Sequence, residues 1–241
     1  MPNGGATAEA IARPGDLVTA LPRLCEGGTV VCLASGPSLT TEDVEYVRGK
    51  ATVIAVNDAV RLAPWADVLV SVDQTWWTKH YRAMRSFAGL KIRTHASMQK
   101  VTRGKVAEKY CPECQAVKPK DKPCWCAGII TLFNAGWEGL SLQQDEIITT
   151  HNSGGAAINV AVLIGAKRVV LVGYDMGPDD RGRAHFYDKG AMSVHSQYRT
   201  FRKRIATMVQ PLSDAGVEVV NCSRRTALEC FPCRPLREVL A

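Results

Sequence analysis

No run of about 18 apolar residues, the length a membrane-spanning helix needs, occurs in this 241-residue chain. The longest candidate is Ala156 to Ala166. Nor does the N-terminus set a charged stretch before an apolar one, as an export signal would, so a soluble cytoplasmic protein is expected. The phosphate-cradling pattern G-x4-G-K-[ST] is missing too, which weighs against an ordinary P-loop nucleotide hydrolase. Nine cysteines are an odd number, and a reducing compartment keeps thiols free, so the count argues against a disulfide scaffold and points to metal ligation or burial. With 46% hydrophobic residues the chain is long enough for one α/β core but short for two. The expected organisation is a tail and short helix over residues 1–26, then a single domain over 27–241 interrupted by an insertion at about 95–127.

Residues 151–175 carry the most information. His151-Asn152-Ser153-Gly154-Gly155 is a small polar turn, followed by an apolar helical stretch closing at Gly165. Asn152 and Ser153 are good N-cap residues, and a helix opening there aims its free amides outward as an anion site suited to phosphate. Val169 to Val172 is an uninterrupted apolar strand, the form of a parallel strand covered on both faces, and Asp175 lies just beyond it. The N-terminal half repeats the arrangement. Thr29 to Ala34 reads as a strand running into Ser35-Gly36-Pro37-Ser38-Leu39, where Gly36 lets a ligand approach the backbone, and Thr40 or Thr41 caps a helix. Strands over Ala51 to Val56 and Asp67 to Val72 end at Asn57-Asp58 and Asp73. Open α/β sheets bind ligands at the carboxyl ends of their strands, so these polar groups converge on the expected ligand edge of a Rossmann-like, mainly parallel sheet with helices on both faces.

Gly-Pro-Ser-Leu after the first strand, Val-Asn-Asp after the second, Ser-Val-Asp after the third, and Asn-Ser-Gly-Gly leading through a helix to Val-Gly-Tyr-Asp resemble one protein family. It joins bacterial sialyltransferase-like enzymes (glycosyltransferase family 42-like) to archaeal pterin-diphosphokinase-like (DUF115) proteins. The likeness spans roughly residues 29–90 and 150–222, and Ala63-Pro64-Trp65-Ala66-Asp67 with Asp73 and Trp76-Trp77 resembles a prophage-encoded branch. It implies that Gly36, Pro37, Ser38, Asn57, Ser153 and Gly154 hold the nucleotide of a nucleotide-sugar, and that His195, in His195-Ser196, is the general base. The chain lacks the Tyr that directly follows the position of Asp175-Met176 in the sialyltransferases. The activity implied is a nucleotide-dependent transferase, a glycosyltransferase using a nucleotide-sugar donor. The alternatives are a magnesium-dependent diphosphokinase and a non-catalytic phage protein that binds nucleotide or nucleic acid.

Other residues carry two readings each. Asp73 and Asp175 either hold Mg²⁺ against a pyrophosphate or cap helices and order arginines. His195 either deprotonates an acceptor hydroxyl or caps its helix, in which Tyr198, Phe201, Ile205 and Met208 share one side; His185, on a charged and Gly-rich loop after Asp175, is the second candidate base. His151 touches phosphate or merely shapes its loop, and Asn159 satisfies a neighbouring loop. Trp76 and Trp77 wall an acceptor pocket or pack in the core. Cys25, Cys32 and Cys222 read as core residues, and Cys230-Phe231-Pro232-Cys233 lacks the strand-to-helix setting of a redox motif. In the insertion, Cys111, Cys114, Cys124 and Cys126 have the spacing of a structural zinc site, with unligated surface thiols as the other reading. From Lys91 to Lys122 nine Lys/Arg stand against three acidic residues, a surplus of six out of the chain's formal +7. That patch either tracks a polyanion such as nucleic acid or keeps a solvated loop soluble.

Overall fold

The protein was analysed as a computed structural model, which describes residues 21–80, 82–94, 129–188 and 195–241. The four insertion cysteines, and most of the basic patch, lie outside the described residues.

Among the described residues, eight strands pair in one parallel sheet: β1 (Thr29–Leu33), β2 (Thr52–Val56), β3 (Val68–Ser71), β4 (Leu90–Thr94), β5 (Ile129–Gly136), β6 (Glu146–Ile148), β7 (Arg168–Val172) and β8 (Glu218–Asn221). Their order across the sheet is β6-β5-β4-β3-β2-β1-β7-β8. From β1 the chain walks outward strand by strand to β6, then returns to lay β7 against the free side of β1. The direction of winding therefore reverses between β1 and β7, and this is where open α/β sheets leave a crevice at the carboxyl edge.

The apolar runs behave as doubly covered strands. Along β1, Val30 and Cys32 enter the core on one face while Val31 and Leu33 enter the core on the other, the alternation a pleated strand imposes. The first face is covered by α3 (Ser153–Leu163), α4 (His195–Ala206) and α5 (Val209–Asp214). On the second lie α1 (Thr41–Val47), the 3₁₀ turn Asn57–Arg61, α2 (Gln74–His80) and the C-terminal α6 (Leu236–Val239). No helix among the described residues is long and apolar enough to cross a membrane.

Helix ends follow local chemistry. Thr40 caps α1 by accepting from the Asp43 amide at 3.1 Å, and Asn152 caps α3 by accepting from the Gly155 amide at 2.9 Å. The far end of α3 requires glycine at 165, where φ is +106° and a Cβ would stand 2.7 Å from the Cys25 carbonyl oxygen. α3 is apolar on nearly every side because it lies under loops as well as on the sheet. Its one interior amide side chain, Asn159, accepts from the Ser141 and Ile148 amides at 3.0 and 2.9 Å and donates to the Ser141 carbonyl at 2.8 Å. It thereby fastens the β5–β6 loop, as expected of a polar residue in an apolar helix.

Two details differ from the sequence reading, and a third decides between its alternatives. β6, only three residues long, carried too little pattern to be seen. The helix after His195 stops at Ala206, so Met208 belongs to the turn before α5, although it is buried as its spacing suggested. Trp76 and Trp77 are core residues: they pack edge to face with centroids 5.1 Å apart, and Trp77 donates to the Ser71 carbonyl at 2.9 Å.

Replacing Asn159 by Ala strands two buried amides and a carbonyl, and is expected to lower stability by roughly 3 to 5 kcal/mol. In urea denaturation the midpoint should fall with little change in slope, while Arg168→Ala, which removes an exposed ion pair with Glu218, should cost under about 1 kcal/mol.

Candidate functional site

The crevice at the β1–β7 reversal is built around Asp175. Its carboxylate reaches across to the loop that follows β1, accepting from the Ser38 amide at 3.0 Å and the Ser38 hydroxyl at 2.8 Å. Only 4% of Asp175 is exposed. Burial pushes its carboxyl up to about 6 against the opposing pull of the Ser38 hydroxyl and amide. Gly36 is needed for this approach: a Cβ there would stand 2.0 Å from the Asp175 Oδ1 and 2.3 Å from the Gly173 carbonyl oxygen. The constraint on Gly36 is thus the neighbouring strand end. Pro37 lies inside the turn that the Leu39 amide closes onto the Gly36 carbonyl.

Among the described residues, four that are not glycine adopt positive φ, namely Asn57, Thr150, His151 and Met176. All four follow the carboxyl ends of strands: Asn57 after β2, Thr150 and His151 after β6, Met176 after β7. Such backbone costs on the order of 1–3 kcal/mol per residue and gathers at functional sites. Asn57 combines it with a second anomaly, because its Oδ1 is buried with no hydrogen-bond partner among the described residues.

Residues 173–188 fold over this edge. The Phe186 amide donates to the Ser35 carbonyl at 3.1 Å, so the loop crosses the end of β1. Asp188 holds the turn by accepting from the Ala184 and His185 amides, and Asp179 does the same for Arg181 and Arg183. Beyond β1 the loop reaches the end of β2, where the Tyr187 hydroxyl donates to Asp58 Oδ2 at 3.3 Å. Burial first, then the Asp58 charge, raises the Tyr187 phenol. Asp58 also accepts from the Trp76 indole at 3.1 Å. From the other face α4 takes hold, with Tyr198 donating to the Ala184 carbonyl at 3.5 Å and Arg202 to the Met176 carbonyl at 3.1 Å. His185 therefore sits one residue from the contact with Ser35, stacked on Tyr187 at 5.1 Å, and its Nδ1 is buried with no hydrogen-bond partner among the described residues. Asp58 and Tyr187 were not singled out from sequence; the only hint was that Asp58 follows Asn57 at a strand end.

The turn before α3 borders the crevice and is largely closed by its own side chains. Asn152 spends its amide group on the Thr150 carbonyl and hydroxyl, and the buried Ser153 hydroxyl accepts from the Val72 amide at 3.0 Å, tying α3 to the end of β3. The two glycines leave room for neighbours. A Cβ at Gly154 would be 3.0 Å from the Tyr174 ring, whose hydroxyl donates to the Gly154 carbonyl at 3.0 Å, and one at Gly155 would stand 1.7 Å from the Thr150 hydroxyl. His151 stacks on Trp137 at 5.2 Å.

Asp73 and Asp175 are not brought together. Two strands, β2 and β1, lie between their parent strands, a separation of roughly 14 Å at about 4.8 Å per strand. Asp73 is exposed and caps α2 through the Thr75 amide at 2.7 Å. Among the described residues, no three His, Cys, Asp or Glu side chains gather as a metal site. His195 opens α4, the helix that grips the crossing loop. Among the cysteines, burial pushes Cys32 up to about 12 and Cys222 and Cys230 up to about 11, which keeps them protonated and fits packing.

No protein-family model, curated protein or solved structure matches the chain. The class of protein that the geometry defines is a Rossmann-like α/β fold with a covered crevice at its winding reversal.

Asp175 has a folded pKa above its unfolded value of 3.8, so the folded chain binds more protons between the two and stability is lost as pH rises from about 4 to 6. Asp175→Asn removes this titration, and the wild type should lose up to about 3 kcal/mol relative to the variant over that window. Chemical denaturation at pH 4, 5, 6 and 7 measures the difference, and parallel curves would mean that the carboxyl is not perturbed.

Proposed function

We propose that the crevice between β1 and β7 binds a nucleotide and that the protein is a nucleotide-dependent transferase, a glycosyltransferase taking its sugar from a nucleotide-sugar donor. The observation that carries this reading is the convergence at one strand edge of two buried polar atoms without a hydrogen-bond partner among the described residues, Asn57 Oδ1 and His185 Nδ1, with the buried Asp175 carboxyl and the Ser38 loop. Buried polar groups are costly to leave unpaired, and a ligand that pairs them recovers that cost. The winding reversal supports a nucleotide as guest, and the resemblance in the Gly-Pro-Ser, Asn57 and Asn-Ser-Gly segments supports a nucleotide-sugar.

In this reading Asn57 and the Gly36–Ser38 loop grip the donor, and Asp175 keeps that loop in register. The turn at Asn152, Ser153 and Gly154 forms the adjoining wall. The acceptor hydroxyl attacks the anomeric carbon, the bond to the nucleotide phosphate breaks, and an imidazole takes the hydroxyl proton. His185 is the imidazole whose surroundings support that task most directly, since its Nδ1 has no structural bond to give up. His195, at the start of α4, is the other candidate.

A thermal-shift screen of CMP-, UDP-, GDP- and ADP-linked ligands, each with and without Mg²⁺, tests the binding. A ligand at about 100 times its Kd adds about 2.7 kcal/mol, or roughly 5 to 10 °C for a chain of this size. No shift with any member rejects the nucleotide reading, and shifts confined to the magnesium arm favour pyrophosphate transfer. Once turnover is measurable, His185→Ala is expected to lower kcat by roughly 10²- to 10⁴-fold with donor affinity nearly unchanged. A loss of that size in His195→Ala alone would move the base to α4.

A further inference from the structure

A second concavity, of about 470 Å³, opens between α1 and the C-terminal segment, beyond the end of β8. We propose that it is a second ligand site, for a small molecule bearing phosphate or pyrophosphate, separate from the switch crevice. Its lining includes three arginines, Arg224, Arg234 and Arg237, against one carboxylate, Asp43.

Two of these arginines are held in place. Arg224 makes a two-pronged pair with Asp43, Nε to Oδ2 at 2.8 Å and Nη2 to Oδ1 at 3.0 Å, and Arg237 binds Glu42 at 2.7 Å. Partial burial raises the Asp43 carboxyl, but hydrogen bonds from Arg224 and Thr40 outweigh it and hold the group below its ordinary value, so it stays ionised and keeps Arg224 oriented. Both guanidiniums remain half exposed or more, with N–H groups left to offer.

Arg234 differs. Among the described residues it has no carboxylate within ion-pair distance, and its one hydrogen bond there runs from its backbone amide to the Asn221 carbonyl at 3.1 Å. It is exposed and lines the concavity beside Cys222, whose thiol its charge stabilises in the ionised form against the larger effect of burial. With Glu42 and Asp43 set against the three arginines, one positive charge is left unbalanced over a concavity large enough for a phosphorylated metabolite. Guanidinium groups oriented by carboxylates are preorganised for tetrahedral oxyanions, which accept the N–H groups that the ion pairs leave over, while Arg234 can offer its whole fork. The floor connects to the crevice through Ser223, whose hydroxyl accepts from the Tyr174 amide at 2.7 Å, one residue before Asp175.

The test uses inorganic pyrophosphate as probe, in calorimetric titration of the full chain at low ionic strength, with Cys233 as a local reporter. Cys233 is exposed and lines the concavity, so occupancy should slow its alkylation several-fold, read peptide by peptide by mass spectrometry. Arg234→Ala, an exposed position with no side-chain bond to lose, should weaken binding at least about tenfold and abolish the protection of Cys233. Ser38→Ala, in the switch crevice, should leave that protection intact. The proposal is overturned if no saturable binding occurs, if Arg234→Ala binds as the wild type does, or if saturating pyrophosphate leaves Cys233 alkylation unchanged. Loss of protection in Ser38→Ala with retention in Arg234→Ala would equally overturn it, by assigning the anion to the crevice.

Discussion

The parallel pairing of β7 against β1 is the constraint on which the rest of the molecule depends. It joins residues about 140 positions apart in perfect register, Thr29 with Arg168 through Leu33 with Val172, and needs a long apolar crossover to do so. α3 supplies that crossover. Because the helix is buried on nearly every side, the chain loses apolar contact wherever α3 is displaced, and the return strand is thereby held beside β1 and nowhere else. Everything at the carboxyl edge follows: Asp175 meets Ser38 because β7 ends next to β1, and Gly36 must be glycine because the two strand ends come so close.

A crevice made this way begins as a gap between diverging loops, and the loop over residues 173–188 crosses it at the end of β1. The loop has almost no apolar core of its own. It is held instead by carboxylates that accept backbone amides, Asp179 and Asp188, and by contacts to β1, β2 and α4. The consequence is a set of polar groups withdrawn from water, where an unpaired donor or acceptor is worth more to a ligand than on the surface. The same withdrawal lifts the Asp175 carboxyl toward neutrality, so this group sits near the pH at which a carboxyl can hold or release a proton.

The two concavities share a construction principle. In each, a hydrogen-bonded carboxylate fixes one polar group: Asp175 holds Ser38 at the end of β1, next to the strand that ends at Asn57, and Asp43 holds Arg224 in the concavity that Arg234 also lines. They also share the β7–β8 edge, since Tyr174 and Ser223 are hydrogen-bonded across it.

Local pattern was enough to read most of the framework. Uninterrupted Val-, Ile- and Leu-rich runs marked β1, β2, β3 and β7 to within a residue or two, because a strand covered on both faces has no polar positions to obscure it. Thr40 and Asn152 announced their helices because capping is chemistry within three residues. Asn57, Asp73 and Asp175 could be placed at strand ends for the same reason. What the sequence by itself could not decide was which strand end lies next to which, and hence what each polar group does. Strand order separates Asp73 from Asp175 and delivers Asp175 to Ser38. It also makes Gly154 and Gly155 spacers for Tyr174 and Thr150, and turns Trp76 and Trp77 into core. Asp58, Tyr187 and the arginines around Arg234 gain meaning only when segments far apart in the chain meet. Such neighbours are chosen by the burial of whole helices and sheets, a sum over the tertiary structure that no short window of sequence contains.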